Sequence, residues 1–191
     1  MRTVRPRHAA ASIVVAVLFS VLTGCGGAPA PEPLPKPSGS TSPSASASAT
    51  PGAPVMPAAA RAKTKAGAIA FAHGFIEALN FSGTHGDTRI LRNLYIPLCT
   101  RCEAIADGID QTYARGGYFR GGEWRPTRFK FYAIENDVAV LDAVVTYESQ
   151  TWVKQSGAKP ITYSGSENNL KAFNLRWRAG EWHVSALDPT T

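Results

Sequence analysis

The sequence has no apolar run long enough to form a permanent membrane-spanning helix. Its longest such run, from Ala10 to Leu22, is about 13 residues, whereas a spanning helix needs about 20. The sequence also lacks a Gly-rich phosphate loop, a G-x-S-x-G nucleophile elbow and an HExxH zinc pattern. We therefore predict no metal and no cofactor, and no motif points to an enzyme.

Histidine and cysteine are scarce, and charge of one sign is not concentrated in the C-terminal part. The 4 histidines, His8, His73, His85 and His183, lie far apart and form no ligand pattern. The formal net charge of +6 includes three arginines near the N-terminus, and the remaining charges nearly balance. Because nucleic-acid binding needs a clustered basic surface, we expect no nucleic-acid partner.

The N-terminus carries an export signal. Three arginines precede the apolar run, namely Arg2, Arg5 and Arg7. The run ends in Leu22-Thr23-Gly24-Cys25, which resembles the bacterial lipobox. The resemblance implies that residues 1–24 are a lipoprotein signal peptide and that Cys25 carries the lipid, typically palmitate. We then expect the protein at the outer face of the cell membrane; an ordinary signal peptide or a short buried helix is the alternative.

A linker follows the proposed anchor. Residues 25–60 are almost entirely Gly, Ala, Pro, Ser and Thr, with Glu32 and Lys36 as the only charges. Such a composition cannot bury enough apolar surface to offset the entropy lost on ordering. We predict a disordered Pro/Ser/Ala-rich linker with a mean span of roughly 30 Å.

Residues 61–191 have the length of one domain, and its first half predicts three helices. Thr64 is a plausible N-cap for the first, which we expect to end near Asn80 before a loop containing Gly83 and Gly86. Its predicted buried face comprises Ala68, Phe71, Ala72, Phe75 and Leu79. A short second helix follows Asp87, and a third begins near Cys99 and ends at Gly116-Gly117.

The second half predicts antiparallel strands. Alternation begins near Phe129 and resumes after a turn at Asn136-Asp137. A further strand begins near Ile161, and the last hairpin turns at Ala179-Gly180. We therefore predict an α+β domain in which three N-terminal helices pack on one face of a curved antiparallel sheet.

Two resemblances follow from these patterns. The element order and the final Trp-x-x-Gly-x-Trp-x-Val hairpin resemble the nuclear-transport-factor-2-like fold, a cystatin-like cone. The stretch from Lys63 to Ala68, the Gly86-Asp87-Thr88 segment and Cys99-x-x-Cys102 are similar to an uncharacterised family of actinobacterial lipoproteins. That family is a domain of unknown function, so the resemblance implies a lipoprotein and no activity.

Cys99 and Cys102 are three residues apart at the start of the third helix. In an exported protein such a pair favours a disulfide bond. Redox catalysis is the alternative, because a helix N-terminus lowers a thiol's pKa. However, the pair follows a helix and a proline, whereas thioredoxin-like pairs follow a strand.

A cone of this kind implies a cavity for a small ligand. Enzymes of the fold place an Asp, Tyr or His inside it. Asp142 is the one acid among the apolar residues of its predicted strand, so it is the candidate catalytic residue. Tyr132, Tyr147 and His183 are its candidate companions. A structural hydrogen bond or simple solvent exposure is the alternative role for this acid.

Three functions fit this sequence. We favour a non-enzymatic, membrane-anchored cell-envelope lipoprotein whose domain binds a partner protein or a small apolar or wall-derived ligand. A small-molecule enzyme of isomerase or dehydratase type, using an acid in the cavity, is the second hypothesis. An accessory module of cell-wall synthesis is the third. The sequence leaves the oligomeric state open, and a dimer is compatible with it.

Overall fold

The computed structural model of the chain describes residues 52–189, and the predicted signal peptide, Cys25 and most of the predicted linker lie outside them. The described chain begins with a 3-10 helix, Ala58–Arg61. Three α-helices follow: α1 Lys65–His85, α2 Arg89–Arg92 and α3 Thr100–Ala114. Seven strands complete the domain: β1 Tyr118–Gly121, β2 Trp124–Glu135, β3 Val138–Tyr147, β4 Gln150–Val153, β5 Ile161–Tyr163, β6 Ser166–Arg178 and β7 Glu181–Pro189.

The strands form two antiparallel sheets. The larger sheet has the order β2-β3-β6-β7, and the smaller has the order β1-β4-β5. Helix α1 contacts β2 and β3, and α3 contacts β7. Three helices packed against antiparallel sheets confirm the predicted α+β class, although two sheets stand where one was predicted.

Helix α1 begins as the sequence predicts and ends later. The Thr64 hydroxyl accepts a hydrogen bond from the Gly67 amide at 3.1 Å, which caps the first turn. The helix continues through Gly83 to His85, and Gly86 ends it in the left-handed conformation, with φ of 71°. The predicted end near Asn80 is therefore wrong, because Gly83 lies inside the helix.

The domain begins before residue 61, so the predicted linker boundary needs correction. Ala60 is buried in the core, and Met56 packs against it. The indole Nε1 of Trp182 donates to the Ala62 carbonyl at 2.9 Å and joins this segment to β7. Met56 lies across Gly74 of α1, where a side chain would overlap it. The absence of a side chain at position 74 thus lets the segment dock.

An arginine joins α2 to α3. The Arg92 guanidinium donates to Glu103 at 2.8 Å and to Asp107 and Asp110 at 2.7 Å each. Nearby, the Tyr95 hydroxyl donates to Glu103 at 2.8 Å. Because Arg92 is shared by three acids of one helix, it fixes the position of α3 despite the shortness of α2.

The larger sheet buries one face of β3 against the helices. Ala139, Leu141, Ala143 and Val145 are fully buried on that face. Val140 is 37% exposed, and Val138, Val140 and Asp142 line one groove on the opposite face. The period of two is as predicted, and it places Asp142 on the side away from the helices.

Both predicted hairpin turns of the larger sheet are present. Asn136 and Asp137 have φ of 46° and 67°, a left-handed pair that suits the two-residue β2–β3 hairpin. Ala179 and Gly180, with φ of 51° and 84°, make the β6–β7 turn. None of the helices between residues 52 and 189 is both long and apolar enough to cross a membrane.

Candidate functional site

A cavity of about 300 Å³ lies between the second half of α1, the middle of α3 and the segment that leads into β2. We call it the α1–α3 cavity. Its apolar walls are formed by Leu79, Ile105, Ile109, Phe119 and Trp124. The volume lies at the lower end of the range for small-molecule sites, and such sites combine apolar walls with few polar groups.

Small residues leave the α1–α3 cavity open. Gly83 of α1 and Gly108 of α3 both line it, and a Cβ built at either would meet no atom within 4 Å. Neither glycine has a positive φ, so neither is there to make a turn. A glycine inside a helix costs about 0.8–1.0 kcal/mol relative to alanine. Glycine at these two positions therefore lowers the stability of both helices and leaves the cavity unfilled.

An asparagine fixes the entrance to β2 against α1. The Asn80 Nδ2 donates to the Trp124 carbonyl, and the Trp124 amide donates to Asn80 Oδ1, both at 2.8 Å. At the other end, the Tyr113 hydroxyl donates to the Gly83 and Thr84 carbonyls at 2.8 Å each. These bonds hold both helices and the loop at the separation that leaves the cavity between them.

The lining of the cavity contains one acidic residue, and the nearby basic residues lie outside the lining. Glu123 is the only charged residue among its lining residues. Across the Trp124 ring, Lys171 Nζ lies 5.3 Å from the ring centroid and outside the lining. Burial, and then the nearby Arg101, lower the pKa of Lys171. The cavity wall is therefore acidic at one residue, while Lys171 and Arg101 lie outside the lining.

The structure corrects the location predicted for Asp142. Asp142 lies on the face of the larger sheet away from the helices, where it is 9% exposed and accepts a hydrogen bond from the Tyr132 hydroxyl. Lys130 Nζ is 4.5 Å from the centroid of the Tyr132 ring on the same face. Tyr132 and Asp142 line a groove together with Val138 and Val140. Neither Tyr132 nor Asp142 lines the α1–α3 cavity. The acid proposed for the cavity is thus on the wrong side of the sheet.

The other two candidate residues do not join this pair. Tyr147 packs against the core at the far end of β3. His183 lies opposite Arg176 in the β6–β7 pairing, and within residues 52–189 its buried Nδ1 atom has no hydrogen-bond partner. The structure therefore brings Tyr132 and Asp142 together and leaves Tyr147 and His183 apart from them.

The predicted disulfide between Cys99 and Cys102 is present. Both residues are 1% exposed, and the Cys102 amide donates to the Cys99 sulfur. Thiol exchange requires access to a sulfur, which this burial denies. The arrangement favours a structural disulfide at the start of α3. Within the described residues, no group of three or more His, Cys, Asp or Glu side chains could hold a metal ion.

The sequence pattern does not reveal the cavity, because the cavity lies where side chains are small or absent. The sequence pattern places Gly83 in a loop and Gly108 inside the third helix, where neither indicates a cavity. A glycine within a strong helical pattern is itself a signal, since it is unfavourable unless packing or function requires it. Two such glycines on neighbouring helices would have pointed to this site.

A protein-family model described as "Family of unknown function (DUF6318)" matches residues 42–188. No curated protein matches the chain. Among solved structures, the intermembrane-space region of the chloroplast protein ARC6 is 11% identical, with a TM-score of 0.51. The similarity covers 68% of this chain and 98% of that one. At so low an identity it shows the fold alone.

Two further structures are more distant. A chain from Xanthomonas campestris, assigned as a calcium/calmodulin-dependent protein kinase II association domain, is 14% identical with a TM-score of 0.37; the match covers 65% of this chain and 86% of that one. A chain from Novosphingobium aromaticivorans, assigned as an aromatic ring hydroxylase, is 12% identical with a TM-score of 0.38, over 63% and 87%. Neither score supports an argument.

Proposed function

We propose, for a chain that belongs to the DUF6318 family of unknown function, that its folded domain binds a small apolar ligand in the α1–α3 cavity. The observation that carries the proposal is the open space beside Gly83 and Gly108, which is lined largely by apolar side chains. An alanine at either position would be sterically free at its Cβ and would favour the helix. The sequence keeps glycine at both positions, which is understandable if the space is used.

The apolar walls and the few polar groups of the α1–α3 cavity determine which class of ligand it can bind. Leu79, Ile109 and Phe119 offer aliphatic and aromatic walls, while the Asn80 amide is already committed to the Trp124 backbone. A ligand with an apolar body therefore needs no hydrogen bond from Asn80. The site therefore suits a compact apolar molecule rather than a sugar or a nucleotide.

The shape of the domain is consistent with the same role. We infer that it is a nuclear-transport-factor-2-like cone. Support comes from the helices-then-strands order and from the similarity in fold to the ARC6 region, with a TM-score of 0.51. Fold similarity carries no activity with it, so the proposed ligand rests on the cavity alone.

We further propose that the domain works at the outer face of the cell membrane, anchored by a lipid on Cys25. The support is the order of arginines, apolar run and lipobox-like Leu22-Thr23-Gly24-Cys25. Labelled palmitate should enter the protein in its native cells and should not enter the Cys25→Ser variant. Equal labelling of both, or of neither, would contradict the anchor without affecting the cavity.

The ligand proposal is tested with a neutral probe of suitable size, phenylpropanol. Its addition to the full chain should shift the amide NMR signals of Gly83, Gly108 and Gly122, which surround the cavity. The Gly108→Leu variant should lose these shifts, and Gly108→Ala should keep them. Shifts confined to the groove at Val140, or identical shifts in Gly108→Leu, would overturn the proposal.

A further inference from the structure

One charged side chain, that of Glu123, is part of the lining of the α1–α3 cavity. Glu123 is the only charged lining residue and is half-buried. Within the described part of the chain, its carboxylate makes no hydrogen bond and no ion pair, in contrast to Glu148, which pairs with Arg125 at 3.0 Å. A carboxylate that lines an apolar cavity and has no partner of its own can form an ion pair with a cationic group of a ligand.

The end of α1 adds a second negative contribution. Gly83 and Thr84, in the last turn of α1, line the cavity, and the helix ends at His85 with Gly86 as its C-cap. The C-terminal end of a helix carries a partial negative charge of about half an electron. The helix end and Glu123 therefore act with the same sign on the same space.

The aromatic lining suits a cation as well. Phe119 and Trp124 both line the cavity, and the faces of aromatic rings attract cations. Trp124 already has Lys171 Nζ 5.3 Å from its ring centroid. Lys171 and Arg101 oppose a further cation, but they lie outside the lining, whereas Glu123 is part of it.

We propose that the ligand of the α1–α3 cavity is an amine, with an apolar body between α1 and α3 and an ammonium group paired with Glu123. The inference rests on the proposed function and narrows it to one ligand class. An ion pair at a half-exposed site and a cation–π contact each add little. Since Lys171 and Arg101 reduce this attraction, we expect the amine to bind about 3- to 10-fold more tightly than a neutral ligand.

The test uses three probes with one apolar body: phenylpropylamine, phenylpropanol and phenylpropionate. Dissociation constants are measured with the full chain at neutral pH by NMR titration. The amine should bind about 3- to 10-fold more tightly than the alcohol, and the carboxylate should bind most weakly. In Glu123→Gln the dissociation constants of the amine and the alcohol should lie within about 2-fold of each other.

Glu77→Gln is the matched control. Glu77 is an exposed acid on α1 that does not line the cavity, so its replacement removes the same charge at a different place. This variant should keep the preference for the amine. An equal loss of preference in Glu77→Gln and Glu123→Gln would overturn the pairing, as would an alcohol that binds the native chain as tightly as the amine.

A second measurement needs no variant. Raising the ionic strength from about 0.01 to about 1 M should weaken the binding of the amine and leave the binding of the alcohol unchanged, because salt screens the ion pair alone. The two proposals fail in different ways. If the alcohol binds and is lost in Gly108→Leu but the amine has no advantage, only the ammonium inference falls. If no probe binds, or if Gly108→Leu changes nothing, the proposed function falls with it.

Discussion

Replacing Gly108 with leucine tests the α1–α3 cavity through stability and binding together. Gly108 is inside α3, and its Cβ direction is open. The helix should gain roughly 0.6–0.8 kcal/mol from the better helix former. The four added carbons would contribute up to about 3 kcal/mol if fully buried, reduced by partial exposure and by about 0.5–1 kcal/mol of side-chain entropy. We expect a net gain of about 1–2 kcal/mol.

The assay is thermal unfolding followed by circular dichroism, with phenylpropanol titrated into the same samples. For a domain of this size the gain corresponds to a rise in Tm of roughly 3–7 °C. Binding should weaken more than about tenfold, since the leucine occupies the ligand's space. Gly108→Ala should gain about 0.8–1.0 kcal/mol and keep its affinity. A leucine variant that unfolds at a lower temperature than the native chain would show that the space is not there.

Three further changes have expected outcomes. Gly86→Ala should destabilise the domain by about 2 kcal/mol or more in urea unfolding, because Gly86 has φ of 71° and an added Cβ would overlap the Tyr113 ring; an unchanged midpoint would contradict this. Burial raises the pKa of Tyr95 to about 12. Since this lies above the unfolded value near 10, stability should hold below pH ~10 and fall by up to roughly 2–3 kcal/mol towards pH ~12, and Tyr95→Phe should flatten that fall. The double variant Cys99→Ser/Cys102→Ser should lose about 2 kcal/mol, and the native pair should resist reductant until the domain unfolds; rapid reduction of the folded chain would contradict its burial.

The elements that local patterns determine were predicted well. The buried face of α1 follows from apolar spacing, and Phe71 and Phe75 are buried as that spacing predicts. The β6–β7 hairpin follows from alternation on both sides of Ala179-Gly180, and Trp177 and Trp182 are paired across it. Both elements depend on neighbours in sequence, so a local reading was sufficient.

The face of β3 could not be determined in the same way. The strand is apolar on both faces, so its period of two leaves open which side meets the helices. Leu141 and Val145 are buried inside, and Val140 is left partly exposed. Packing of β3 against α1 determines which face is buried. As a result, Asp142 lies on the opposite face and not in the cavity in which we expect it.

The smaller sheet was missed because its pairings are distant in sequence. Strand β1 has only four residues, the last of which is Gly121, and it pairs with β4, with Tyr118 opposite Val153. The stretch predicted as one strand from Ile161 divides at Gly165, where a side chain would overlap the backbone at Tyr147. The division sends β5 and β6 to different sheets, and the smaller sheet supplies Phe119 to the cavity wall.

Where a bound molecule lies is the most direct measure of the central claim. Nuclear Overhauser contacts between phenylpropanol and the full chain report which side chains surround the probe. We predict contacts to Ile105, Phe119 and Trp124, which line the α1–α3 cavity. Contacts instead to Tyr132 and Val140, on the open face of the larger sheet, would contradict the claim.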